Sequence, residues 1–130
     1  MNNKSQNSQN SKPSKPLVTD GVFIRLTGTE VCRKVFFKDI LYIIRSGDYI
    51  DIHTATFEKP FRIKNAICTL EERLVERGFM KIHRSHIVNL WKVEEISKDF
   101  ITIGGKHISI SPALFAEIWE KLIVLDNKWR

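Results

Sequence analysis

A chain of 130 residues is long enough for one domain with a real core and too short for two ordinary ones. Its 42% hydrophobic content is that of a globular protein, and no run approaches the roughly 18 uninterrupted apolar residues of a membrane span. The net charge of +6, from 21 basic and 15 acidic residues, is a weak pointer to nucleic acid or another polyanion.

Half of that excess, Lys4, Lys12 and Lys15, lies in the first 19 residues, which carry no acid, so the remainder is only mildly basic. Residues 1–20 are Asn, Ser, Gln, Lys and Pro with scarcely an apolar side chain before Leu17, a composition that cannot offset its ordering entropy. They are expected to be a disordered polar tail, either simply solvated or a basic arm touching nucleic acid. The lysines have no apolar core behind them, so the segment is not a secretory signal, and a cytoplasmic protein is expected. Cys32 and Cys68 are far apart and in no paired spacing, which fits reduced thiols.

From Val22 the pattern has period two. Val22 to Leu26 and Val31 to Phe37 flank Thr27-Gly28-Thr29-Glu30 as a hairpin. Leu41 to Arg45 is a β-prone run that Ser46-Gly47-Asp48 breaks. Tyr49 to Thr54 alternates, with Ile50 and Ile52 inward and Tyr49, Asp51 and His53 outward. Phe57 to Arg62 reads as a further strand, edge or interrupted because of Pro60. Asn65 is a candidate N-cap for a helix from Ala66 to Arg77, with Ile67, Leu70 and Leu74 on its buried face and Gly78 at its C-cap.

Met80-Lys81-Ile82-His83 alternates as a strand, Met80 and Ile82 on one face and Lys81 and His83 on the other. It runs into the polar corner Arg84-Ser85-His86 before apolar residues resume at Ile87. That layout suits rigid presentation of hydrogen-bonding and cationic groups; the blander reading is a solvated bend. Lys92 to Ser97 and Phe100 to Ile103 are expected strands, and Gly104-Gly105 is a hairpin turn into Lys106 to Ile110. Ser111-Pro112 is N-cap and first position of a last helix, whose Phe115, Ile118, Trp119 and Leu122 form an apolar stripe. The sum is a mainly β domain over 21–123 with two short-to-medium helices and mostly antiparallel sheets, followed by a tail at 124–130.

Catalytic readings fare poorly. His83, Ser85 and Asp48 lack a nucleophile elbow or a Gly-rich oxyanion turn. His53, His83, His86 and His107 and the two cysteines show no ligand-pair spacing, so no metal, cofactor or small-molecule substrate is expected. Polyanion binding explains more: Arg45, Asp48 and Tyr49, then Arg62, Lys64 and Asn65, then Arg84, Ser85 and His86 cluster at loop edges. Neither helix is basic, so a DNA reader would use loops and strand ends. Asn89 is expected to bond backbone, His83 either to bond a neighbouring strand or to face outward, and Tyr49 and Trp91 either to pack or to contact a partner.

Phe79-Met-Lys-Ile-His-Arg-Ser-His-Ile-Val-Asn-Leu resembles the most characteristic segment of the LytTR-type DNA-binding domain of bacterial transcription regulators. Supporting matches are Asp39-Ile-Leu-Tyr-Ile with Gly47-Asp-Tyr-Ile, Phe61-Arg-Ile-Lys-Asn before Leu70-Glu-Glu-Arg-Leu, and Gly105-Lys-His-Ile-Ser-Ile-Ser. The resemblance implies an elongated, antiparallel β fold whose loops enter successive grooves of double-stranded DNA. The loops would be Gly47-Asp48-Tyr49; Arg84, Ser85 and His86, with Arg84 reading a base and Ser85 on phosphate; and the turn at Ser111. Arg62, Lys64 and Asn65 would add backbone contacts, and copies would pair on tandem half-sites. Two departures stand out: Pro112-Ala113 follows Ser111 where the family carries polar residues, and Asp48 is acidic. The first of these, with the weak net charge, leaves open a second reading, an interaction module of the same fold that no longer reads DNA.

Overall fold

The computed structural model describes residues 15–64 and 67–126. Its elements are β1 (Gly21–Arg25), β2 (Cys32–Phe36), β3 (Ile40–Ser46), β4 (Tyr49–Thr54), β5 (Phe61–Lys64), α1 (Ile67–Leu74), β6 (Phe79–His83), β7 (His86–Asn89), β8 (Glu95–Ile96), β9 (Phe100–Ile103), β10 (Lys106–Ser109) and α2 (Pro112–Glu120). Five strands form a central sheet in the order β5-β4-β3-β7-β6; β1 and β2 form a hairpin, and β8 to β10 a three-stranded sheet. Among the described residues, all pairings are antiparallel. The expected mainly β architecture with two short helices is what the chain forms.

The central sheet is covered on both faces, which is why β3 is apolar from Ile40 to Ile44 and β7 carries Ile87 and Val88 side by side. Ile43, Ile50, Ile52 and Ile87 pack on one side with the β1-β2 hairpin and with Leu70 and Leu74 of α1. Tyr42 and Val88 pack on the other with Ile101, Ile103, Ile108 and Ile118. A β-bulge at Leu41 shifts the β3-β4 register between Ile40↔Thr54 and Tyr42↔His53. The extra residue puts Ile40 and Ile43 in one core while Leu41 and Tyr42 join the other.

Asn89 closes the sheet where β7 ends. It is 2% exposed, its Nδ2 donates to the Ile40 carbonyl at 2.9 Å, and its Oδ1 accepts from the Trp91 N–H at 3.0 Å. The expected backbone-bonding role is therefore met, and it explains a local difference. Lys92 to Ser97 does not form one strand: Leu90–Lys92 is a 3₁₀ turn capped by Asn89, and only Glu95–Ile96 pairs.

Other boundaries moved for identifiable reasons. β5 begins at Phe61, not Phe57, because Pro60 has no N–H for the ladder, and β5 is an edge strand as expected. α1 ends at Leu74, and Val75–Arg77 tightens to 3₁₀ before Gly78, whose φ of 84° is the left-handed stop. The Asn65 cap, the side chains of Ile67 and Cys68 and most of the expected tails lie outside the described residues. In α2, Ile118 is fully buried, but Trp119 is 40% exposed and leans on Phe115 at 5.3 Å between ring centroids.

Replacing Asn89 with Ala removes two hydrogen bonds and leaves the Ile40 carbonyl buried without its donor. The expected cost is about 2–3 kcal/mol, read as a lower urea midpoint at unchanged m-value.

Candidate nucleic-acid interface

The β6-β7 hairpin is the centre of the site. Its register shifts between Lys81↔Ile87 and His83↔His86, a second bulge, at Ile82. The extra residue breaks the alternation read from the sequence. Lys81 stays beside Glu71 of α1, 4.0 Å away, whereas His83 is turned from it and stacks on His86 with ring centroids 4.6 Å apart. Arg84 and Ser85 form the two-residue turn between the strands. The Ser85 N–H donates to His83 Nδ1 at 3.2 Å, so His83 braces its own turn and not a neighbouring strand.

Two backbone bonds lock this hairpin to its neighbours. The Arg45 N–H donates to the Ser85 carbonyl at 2.8 Å, extending the β3-β7 ladder into the turn. The Ser111 N–H donates to the carbonyl of the bulged Ile82 at 2.7 Å, which fixes the start of α2 against the same corner. All three loops expected to act together are thus at one end of the central sheet. Gly47, at φ 63°, makes the tight β3-β4 turn with Asp48, and Arg45 Nε donates to the Gly47 carbonyl at 3.3 Å. Lys64 ends β5 at the same level, opposite Tyr49. With strands about 4.8 Å apart, the row from β5 to β6 is roughly 19 Å long.

The charges in the row differ in availability. Arg45, Lys64 and Arg84 are exposed, and none has an acidic partner within 4 Å among the described residues. Arg62 sits two register pairs behind Lys64 and is engaged: it grips both Asp51 oxygens at 2.8 Å, and its guanidinium lies 5.5 Å from the Tyr49 ring centroid. That grip holds the Asp51 carboxyl below the usual carboxylate range and raises Arg62. Asp48 is exposed at the tip of its turn, and Tyr49 is 41% exposed.

His86 is half-buried behind Arg84. Burial lowers its imidazole below the ordinary value; His83 adds to this, and a hydrogen bond to the Ser109 backbone opposes it. Its Nδ1 is buried without a hydrogen-bond partner among the described residues. A neutral ring is therefore favoured at pH 7, so His86 supports the turn more readily than it supplies charge. Ser111 is half-buried, its side chain makes no helix-capping bond, and Pro112 follows at the first helical position. His83 enters the site as a brace that residue types alone did not reveal, because Met80 to His83 looks like regular alternation.

A family model described as the LytTr DNA-binding domain matches residues 30–122. The chain belongs to this family. Curated relatives include the sensory transduction protein LytT of Bacillus subtilis, 25% identical over an alignment of 87 residues that covers 62% of this chain and 35% of LytT. An uncharacterized response regulatory protein of Vibrio cholerae is 26% identical over 88 residues, 65% of this chain and 32% of that protein. The chain spans about a third of the length of these relatives. A solved LytTr DNA-binding domain from Bacillus cereus shares the fold, with a TM-score of 0.61 at 21% identity over 76% of this chain and 94% of that one. The family match takes in every loop of the row, from the β3-β4 turn to Ser111. Among the described residues, no helix of the LytTR chain is long and apolar enough to cross a membrane.

Burial also lowers the His53 imidazole, with Lys106 adding to the shift and Asp51 opposing it. Folded-state values for His53 and His86 below the unfolded value mean that the unfolded chain takes up protons first as pH falls. Stability is therefore complete above about pH 6.5 and declines below it, until the folded imidazoles also protonate. Urea midpoints falling from about pH 7.5 to pH 5.5, with a shallower fall in His53→Gln and His86→Gln, are the expected result.

Proposed function

We propose that the chain is a sequence-specific binder of double-stranded DNA acting as a bacterial transcription regulator, with the row of loop tips entering the major groove. The observation that carries this reading is Arg84: an exposed cation at a turn fixed by backbone bonds from Arg45 and, through Ile82, from Ser111. Arg84 donates in bidentate fashion to a base edge, guanine being the preferred acceptor. Ser85, Arg45 and Lys64 hold phosphates on either side of it, and the Ser111 hydroxyl adds a weaker contact because its N–H is already used. Asp48 accepts from a cytosine amino group. Arg62, committed to Asp51, positions Tyr49 first and meets a phosphate only if that pair opens. Asn65 completes the backbone contacts.

A row of roughly 19 Å covers little more than half a helical turn, so copies pair on tandem half-sites about one turn, roughly 34–36 Å, apart on one DNA face.

Arg84→Ala and Lys64→Ala separate the two kinds of contact. Arg84→Ala costs about 1–3 kcal/mol and relaxes preference at one base position. Lys64→Ala weakens all sequences alike and lowers the slope of log affinity against log salt by about one unit. Unchanged affinity and preference in Arg84→Ala would remove Arg84 as the base reader.

A further inference from the structure

The end of the central sheet opposite the loop tips carries a second surface. Phe37–Asp39 leads into β3, Gly78 precedes β6 and Trp91 follows β7, so their segments meet there. Between them runs a groove of about 910 Å³ with Phe36, Gly78 and Trp91 among its lining. Trp91 is 83% exposed, yet it is not loosely held. Its N–H is bound by Asn89 Oδ1 at 3.0 Å, and the preceding residue, Leu90, donates to the Gly78 carbonyl at 2.8 Å. The indole lies over Gly78, where an added Cβ would stand 2.5 Å from ring atoms Cδ1 and Nε1. A large aromatic side chain that is fixed from behind and bare in front costs little entropy to use as a binding anchor.

The rim is charged unevenly. Lys38, Arg77 and Lys92 line the groove against Asp20 and Glu76, and Asp20 is already taken by Lys34 at 2.9 Å. Lys34 and Lys38 lie 4.5 and 5.7 Å from the Phe36 ring centroid, which extends cationic character along the apolar floor. We infer that this groove docks a protein segment in which acidic residues flank a large apolar or aromatic side chain, Trp91 and Phe36 taking the apolar group and Lys38, Arg77 and Lys92 the acids. Glu76 disfavours a continuous phosphate backbone along the same path, which selects a peptide over a nucleic acid. The site lies at the far end of the strands from Arg84, so a partner held there leaves the DNA tips free.

The test uses the full chain labelled with ¹⁵N and three probes: a synthetic peptide with Phe-Leu flanked by aspartates, its lysine-flanked counterpart, and oligothymidylate. The expected result is saturable shifts of the Trp91 indole N–H and the Gly78 amide with the aspartate peptide alone. Trp91→Ala and the double variant Lys38→Glu/Lys92→Glu each weaken that binding about tenfold or more. DNA affinity measured on the same variants stays unchanged, which separates failure here from failure of the DNA reading. No shifts up to about 1 mM peptide, equal binding of the lysine peptide, displacement by oligothymidylate, or shifts confined to the Arg84 end would each overturn the proposal.

Discussion

The extra residue at Ile82 governs the geometry of the whole candidate interface. A regular β6 would leave His83 on Lys81's side of the sheet; the bulge turns it onto His86 and lets it accept from the Ser85 N–H. The Ile82 carbonyl meanwhile receives Ser111, and the Ser85 carbonyl receives Arg45. Three loops remote in sequence are thereby joined by backbone, whose bonds survive side-chain substitution. Ordering one residue costs about 1–2 kcal/mol, so tips that are fixed before binding keep that amount of affinity at each position.

The central sheet acts as the spacer that makes such fixing useful. It is packed on both faces by separate cores, and the Leu41 bulge distributes the β3 side chains between them. Asn89 seals the far end by taking the Ile40 carbonyl that the irregular ladder leaves open, and in the same stroke it sets Trp91 outward. The two ends of one sheet therefore differ in kind. One presents Arg45 and Lys64 at strand ends and Arg84 on a tight turn, and the other presents an aromatic groove with a basic rim.

Much of this was legible in the sequence, because hairpins announce themselves through glycines at turns and through period-two alternation. The β1-β2 hairpin, the Gly47 turn, the Gly104-Gly105 turn and the Gly78 helix stop all formed where residue types require them. The bulges were not legible, since one added residue in an apolar run leaves no compositional mark. By residue type Arg62 is a backbone contact beside Lys64; its pairing with Asp51 exists only once the β4-β5 register is known. Trp119 belongs to a helical stripe by spacing, yet α2 ends at Glu120, and the ring stays partly in solvent. Family resemblance alone implies the joining of the loops; its physical cause, the Ile82 and Ser85 carbonyls, exists only in the folded backbone.

The most direct test of the central claim is selection of bound sequences from random duplex DNA by the purified protein, followed by titration of the enriched site at two salt concentrations. The expected result is an enriched motif repeated at about one-turn spacing, with affinity falling steeply as salt rises. Selection that enriches nothing, with only weak binding at low salt, would contradict it.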